Sequence, residues 1–311
     1  MKIVFLDAKT IGDDINLSGF DELGEVVKYG FSTTEEARER TKDADVIILN
    51  KVEINEKTIG EAKNLKLVCV TATGTNNLDK EYLAKRGIAW RNVAGYSTES
   101  VAQHTFAMLF YLLEKLRYYD DYVKTEKYVE DVSFTHFAKA FHELTGMTWG
   151  IVGLGNIGRR VADIAKMFGC RVIYYSTSGK NIQPGYDRVS FEELLTQSDI
   201  VSVHAPLDEN TQGLMNQAAF TKMKKTAIFL NLGRGPIVVE QDLADALNEG
   251  EIAAAGLDVL SVEPMQAQNP LRSIKDSEKL LITPHIAWAS VEARNRLMQI
   301  IVEQIKSFFP D

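Results

Sequence analysis

Arg234, Glu263 and His285 are the residues whose types, taken together, suit a reaction. Each follows a short apolar run that reads as a buried strand, 227–230, 253–257 and 281–283, and the carboxyl ends of such strands form the ligand face of an α/β sheet. Arginine offers a planar fork that grips a carboxylate with two hydrogen bonds, a geometry lysine cannot imitate. Imidazole titrates near working pH and suits a proton transfer. An adjacent carboxylate favours the imidazolium and fixes the ring's tautomer. Reduction of a carbonyl beside a carboxylate needs a fixed cation, a proton donor and a hydride donor, and no metal. Singly, each residue has an ordinary alternative: a surface arginine, a strand-end carboxylate before Pro264, a histidine satisfied by backbone.

The hydride donor has its own signature. In TWGIVGLGNIG, residues 148–158, Gly153, Gly155 and Gly158 fit GxGxxG, with Asn156 and Ile157 between the last two. The first glycine makes the turn, the second lets backbone approach a pyrophosphate, and the third lets helix pack on strand. The free N–H groups of the helix N-terminus then hold the phosphates. An apolar run at 149–152 precedes the glycines; Val161, Ile164, Ala165 and Phe168 follow at helical spacing, and a second run at 171–175 completes the βαβ unit. The competing reading is a purely structural turn. NAD enzymes of this type place an acid ~20 residues beyond the fingerprint to bind the ribose 2′-OH. Here the strand ends in Ser176, Thr177, Ser178, Gly179 and Lys180, so no carboxylate repels a 2′-phosphate, yet no arginine stands in the turn. NAD(H) and NADP(H) both stay open. His204 and Pro206 after the run at 200–203, and Asn231 and Asp258 at later strand ends, are expected to line the same cofactor crevice. His204 is a rival acid/base, ranked below His285 because no carboxylate motif accompanies it. His104 falls within a helical pattern and reads as structural, and His136 and His142 carry no argument.

These residues need two α/β units to position them. The chain has 311 residues, enough for about two domains at one per ~150 residues. With 35 Lys and Arg against 43 Asp and Glu the net charge is −8 and no basic block stands out, which argues against nucleic-acid partners. No stretch approaches the ~18 apolar residues of a membrane span, and the apolar run in MKIVFLDAKT is too short for a signal peptide. Cys69 and Cys170 lack CxxC spacing and read as buried thiols of a cytoplasmic protein. Runs at 3–6, 46–49 and 67–70 are expected as strands, with helices at 34–42 and 55–63. A long helix at 97–122 carries Val101, Phe106, Leu109, Phe110, Leu113 and Leu116 on one side and is expected to bridge two domains; 124–144 is either a surface excursion or a dimer contact. The second unit adds strands at 200–203, 227–231, 253–259 and 280–283, with helices at 191–196 and at 241–249, ended by Gly250. The helix 291–308 is too little for a domain and is expected to pack back on the first unit. The expected fold is therefore α/β with two doubly wound, Rossmann-like parallel-sheet domains and a cleft between them. Residues 1–97 plus 288–311 form a discontinuous, flavodoxin-like substrate domain, and 98–287 form the dinucleotide-binding domain.

The motifs GLGNIG (153–158), VHAPL (203–207), NLGRGPIVVE (231–240), GLDVLSVEP (256–264) and ITPHIAW (282–288) stand in the order of the D-isomer-specific 2-hydroxyacid dehydrogenases. The chain resembles that family over nearly its whole length. The resemblance implies that Arg234 orients a 2-keto acid, that Glu263 pairs with His285, and that His285 is the acid/base. It implies further that Asp258 touches the nicotinamide carboxamide, that backbone near Thr73 and Gly74 helps hold the substrate carboxylate, and that the protein is a homodimer built on the cofactor domain. Segments 92–109 and 284–290 are similar to those of D-glycerate dehydrogenases, also called hydroxypyruvate reductases, so D-glycerate/hydroxypyruvate is the expected substrate pair, with glyoxylate, D-lactate and D-3-phosphoglycerate as alternatives. Trp288 either walls a small substrate or packs at a hinge. A dinucleotide-sensing scaffold of the corepressor type is the alternative from another class, since fold alone does not fix function.

Overall fold

The computed structural model describes residues 1–310. It divides into two units, Met1–Ser97 with the segment from Ala289 onward, and Thr98–Trp288. In the first, strands β1 (Lys2–Phe5), β2 (Glu25–Lys28), β3 (Val46–Leu49), β4 (Leu67–Val70) and β5 (Ala89–Arg91) form a parallel sheet in the order β2-β1-β3-β4-β5. Helices α1 (Thr34–Arg40), α2 (Glu56–Ile59) and α3 (Lys80–Lys85) lie between them in sequence. The central strands VIIL and LVCV are buried at every position, as expected of parallel strands covered on both faces. The edge strands EVVK and AWR are only partly buried; they carry no apolar run and escape detection in the sequence. Helix α1 starts at a capping box between Thr33 and Glu36, and α2 stops at Ile59, four residues short of the sequence expectation. The terminal helix Val291–Phe308 buries Leu297, Ile301 and Ile305. Its Arg294 grips both carboxylate oxygens of Asp14 and donates to the carbonyl of Ile11, all within the first unit.

The second unit opens with α4 (Thr98–Leu113) and α5 (Leu116–Lys124). The single helix expected over 97–122 is thus two, because Lys115 adopts a left-handed conformation at φ +55° and interrupts the ladder. Seven strands follow: β6 (Thr148–Val152), β7 (Arg171–Tyr175), β8 (Asp187–Arg188), β9 (Ile200–Val203), β10 (Ile228–Asn231), β11 (Ala254–Leu257) and β12 (Leu280–Ile282). They pair in parallel in the order β12-β11-β10-β9-β6-β7-β8. Helices α6 (Asn156–Met167), α7 (Phe191–Gln197), α8 (Gln217–Lys222) and α9 (Glu240–Glu249) connect them. Trp149 and Ile151 of β6 join residues of α4 and α6 in one core, while Val152, Val201 and Phe229 join residues of α7, α8 and α9 in another. The chain runs outward from β6 to β7 and β8, then returns to β9 on the other side of β6. That reversal is the topological switch point outside which an open α/β sheet binds its ligand. Both thiols are buried, and burial pushes Cys69 up to about 12 and Cys170 to about 11. Among the described residues no helix is long and apolar enough to cross a membrane.

Candidate active site

At the switch point the glycine turn has the form a dinucleotide needs. Gly153 sits at φ +91°, and a Cβ there would lie 2.8 Å from Ala205 Cα. A Cβ on Gly158 would lie 2.3 Å from the Gly153 carbonyl oxygen, so α6 packs directly on the turn. At Gly155 a Cβ would meet nothing within 4 Å, which leaves the turn open on that side. Helix α6 then begins without a side-chain cap, and the N–H groups of Asn156, Ile157 and Gly158 are left for an anion. These residues fit a pyrophosphate on geometric grounds.

The second half of the sheet brings the polar residues together through three connected turns. Asn231, the last residue of β10, is fully buried; its amide donates to the Arg234 carbonyl at 3.0 Å and accepts the Gly233 N–H at 3.1 Å. The Arg234 guanidinium is part-exposed and bonded to the Gly233 carbonyl at 2.8 Å. Next to it, a Cβ on Gly235 would fall 1.9 Å from the Leu260 carbonyl oxygen, so this turn lies against the loop that carries Glu263. Glu263 accepts the Leu260 N–H through Oε1 at 2.9 Å and faces His285 Nδ1 through Oε2 at 2.7 Å. An ionised carboxylate only accepts, so Nδ1 carries the hydrogen toward Glu263; Nε2 has no partner among the described residues.

The backbone of His285 is held in an unusual state. Among the described residues it is one of three non-glycine positions with positive φ, at +56°, a conformation that costs about 1 kcal/mol or more. Asp258, only 2% exposed, offsets that cost. Its main-chain carbonyl accepts the His285 N–H at 2.8 Å, and its carboxylate accepts the Thr283 hydroxyl at 2.6 Å and the N–H groups of Ile286 and Ala287 at 2.9 Å each. From α4, His104 Nε2 reaches the Thr283 hydroxyl at 3.1 Å and Ser100 donates to the Ala287 carbonyl at 2.6 Å.

The profile of the D-isomer specific 2-hydroxyacid dehydrogenase NAD binding domain matches residues 106–287, more than half of the sequence. The chain belongs to that family. The dehydrogenase is 37% identical to a hydroxypyruvate reductase of Blautia hydrogenotrophica, with 99% of this chain and 97% of that protein aligned. It is 33% identical to a glycerate dehydrogenase of Methylorubrum extorquens, over 99% and 96% respectively. A solved structure of an acyclic imino acid reductase in complex with NADPH and D-Arg superposes with a TM-score of 0.87 at 29% identity, covering 99% of this chain and 97% of the other. The protein is an NAD(P)-dependent 2-hydroxyacid dehydrogenase.

Other residues singled out in the dehydrogenase's sequence occupy distinct surroundings. Trp288 spends its indole N–H on the His285 carbonyl at 2.9 Å. Thr73 and Gly74 lie in the first unit just past β4; the Thr73 carbonyl accepts from the Asn92 amide and its hydroxyl donates to the Val93 carbonyl, while the Thr73 and Gly74 N–H groups are unpaired among the described residues. Pro206 is exposed. His204 pairs through Nε2 with Ser202 Oγ at 3.1 Å, and that hydroxyl accepts the Trp149 indole N–H at 2.8 Å. Its Nδ1 is shut off from solvent without a partner although the residue as a whole is part-exposed, and burial depresses the ring to about 3. Ser176 is buried and accepts the Asn181 N–H at 3.3 Å. Sequence reasoning gave no role to Glu240, which accepts the Ser261 N–H at 2.7 Å and the Asn269 amide at 2.8 Å and so supports the Glu263 loop. It also gave none to Ser100, whose spacing of four from His104 on α4 is the one local signal that both face the same turn.

Proposed function

We propose that this dehydrogenase interconverts hydroxypyruvate and D-glycerate, with Arg234, Glu263 and His285 as its catalytic residues. The observation that carries the reading is the His285–Glu263 contact of 2.7 Å, which directs Nδ1 at a carboxylate and leaves Nε2 for a substrate. Held on the glycine turn, a nicotinamide cofactor would supply the hydride for C2. His285 donates its Nε2 proton to the carbonyl oxygen as the C2–OH forms, and Glu263 keeps the ring in one tautomer and balances the imidazolium charge. Arg234 holds the substrate carboxylate with its fork and so aligns the carbonyl. In the oxidative direction the proton returns to His285. For the cofactor, the open side of Gly155 and the uncapped start of α6 support a pyrophosphate on Gly153, Gly155, Asn156, Ile157 and Gly158.

The names of the Blautia and Methylorubrum relatives support the substrate pair. We also propose a homodimer through the segment after α5, where Val129, Val132, Phe134 and Phe137 are exposed within one short stretch, since clustered exposed apolar residues mark association surfaces. Sedimentation at micromolar concentration tests it, and a monomer would exclude it. For the substrate, the experiment is steady-state reduction of hydroxypyruvate, glyoxylate, pyruvate and 3-phosphohydroxypyruvate with each cofactor. The highest kcat/KM is expected with hydroxypyruvate; a value about tenfold higher for another acid would reassign the substrate.

A further inference from the structure

We propose that the preferred cofactor is NADP(H), its 2′-phosphate held by Arg159 of α6 together with Thr177 and Lys180 of the loop after β7. The inference rests on the dinucleotide site above and names the form of cofactor that site takes. Residues 176–183, Ser-Thr-Ser-Gly-Lys-Asn-Ile-Gln, contain no carboxylate, so nothing in the loop accepts the two ribose hydroxyls in the manner of an NAD-selective acid or repels a phosphate.

The loop is a built structure. Asn181 donates from its amide to the Leu154 carbonyl at 2.8 Å, which ties the loop to the glycine turn. The Tyr174 hydroxyl donates to the Asn181 carbonyl at 3.2 Å and accepts the Gln183 N–H at 3.1 Å, and the Gln183 amide donates to Asn181 Oδ1 at 2.6 Å.

Arginine is absent from the loop itself but reaches it from α6. Arg159 donates to Gln183 Oε1 at 3.3 Å and to Asn156 Oδ1 at 2.5 Å, so its guanidinium stands between the loop and the first residue of the phosphate-facing helix. Both partners are neutral amides. The neighbouring Arg160 is paired with Glu99 at 2.9 Å, and Asp163, the one acid of α6, is taken by the Tyr186 hydroxyl. Among the described residues neither Arg159 nor Lys180 has a carboxylate within ion-pair distance. In a chain of net charge −8, two unneutralised cations beside one loop are matched by a dianion. Thr177, which unlike Ser176 is not buried, adds a hydroxyl donor.

Calorimetric titration of the full chain with NADPH and with NADH, without substrate, tests the assignment. NADPH is expected to bind at least about tenfold more tightly. Arg159→Gln and Lys180→Gln should each weaken NADPH by about tenfold or somewhat less and leave NADH within about twofold, which also shows that the variants are folded. Thr177→Asp should reverse the order. NADH binding as tightly as NADPH, or Arg159→Gln weakening both cofactors alike, would overturn the proposal. Binding of neither by the unmodified chain would instead remove the dinucleotide site on which it rests.

Discussion

The turns after β9 and after β12 each carry a histidine at a strand end of one sheet, and they are built to opposite effect. His204 leans on the Ser202 hydroxyl, with Trp149 behind it, and has no carboxylate; burial holds its ring at about 3, so it is neutral at any working pH. His285 has a carboxylate 2.7 Å from Nδ1, an open Nε2 and a main chain fixed by Asp258. Position at a strand end is shared, so position does not make an acid/base. What differs is the partner across the ring and the access to the other nitrogen, and both support His285 for the proposed acid/base role. Asp258 shows the same division of labour: its carboxylate is committed to Thr283, Ile286 and Ala287, so whatever it offers a cofactor, it first shapes the turn that presents His285.

The contrast is broken most directly at His285. His285→Ala should lower kcat by ~10² to 10⁴, the span for losing a general acid, while His204→Gln stays within about tenfold; comparable losses from both would erase the distinction. Glu263→Gln keeps an acceptor beside Nδ1 but removes the charge, and kcat/KM should fall by about 10². Unchanged kinetics would make the pair a structural contact only. Arg234→Lys should raise KM by about tenfold with a smaller loss in kcat, since a point charge replaces a fork; unaltered kinetics would mean the guanidinium serves its own turn alone. The smallest effect concerns stability. The His204 ring titrates at about 3 in the folded chain against 6.5 for an ordinary histidine, so between those values the unfolded chain binds a proton that the folded one does not. Stability therefore drops as pH falls through that window. His204→Gln should flatten the decline in melting temperature below pH 6.5, and parallel curves for the two proteins would contradict the burial argument.

The central strands of both sheets were legible because both faces are covered and the residues are apolar throughout, as in VIIL and LVCV. The edge strands β2, β5 and β8 were not, since a strand with one open side needs no such run. The break at Lys115 leaves no trace in a helical pattern that continues past it. In the site, the glycine spacing and the order of Arg234, Glu263 and His285 could be read along the chain, since each motif is local. The supports could not: Glu240 acts on Ser261 and Asn269, Ser100 on Ala287, and Arg159 on Gln183, contacts between residues distant in sequence that only folding brings about.

The braces on the 283–287 turn also decide what moves during turnover. A histidine wired through its own N–H to a neighbouring strand, with the next two amides tied to the same acid, has little freedom to swing. Its aim is set by the turn after β11, so under the proposed role of His285 a keto acid is steered to the proton, and a change at Asp258 would misdirect that step without altering the imidazole itself.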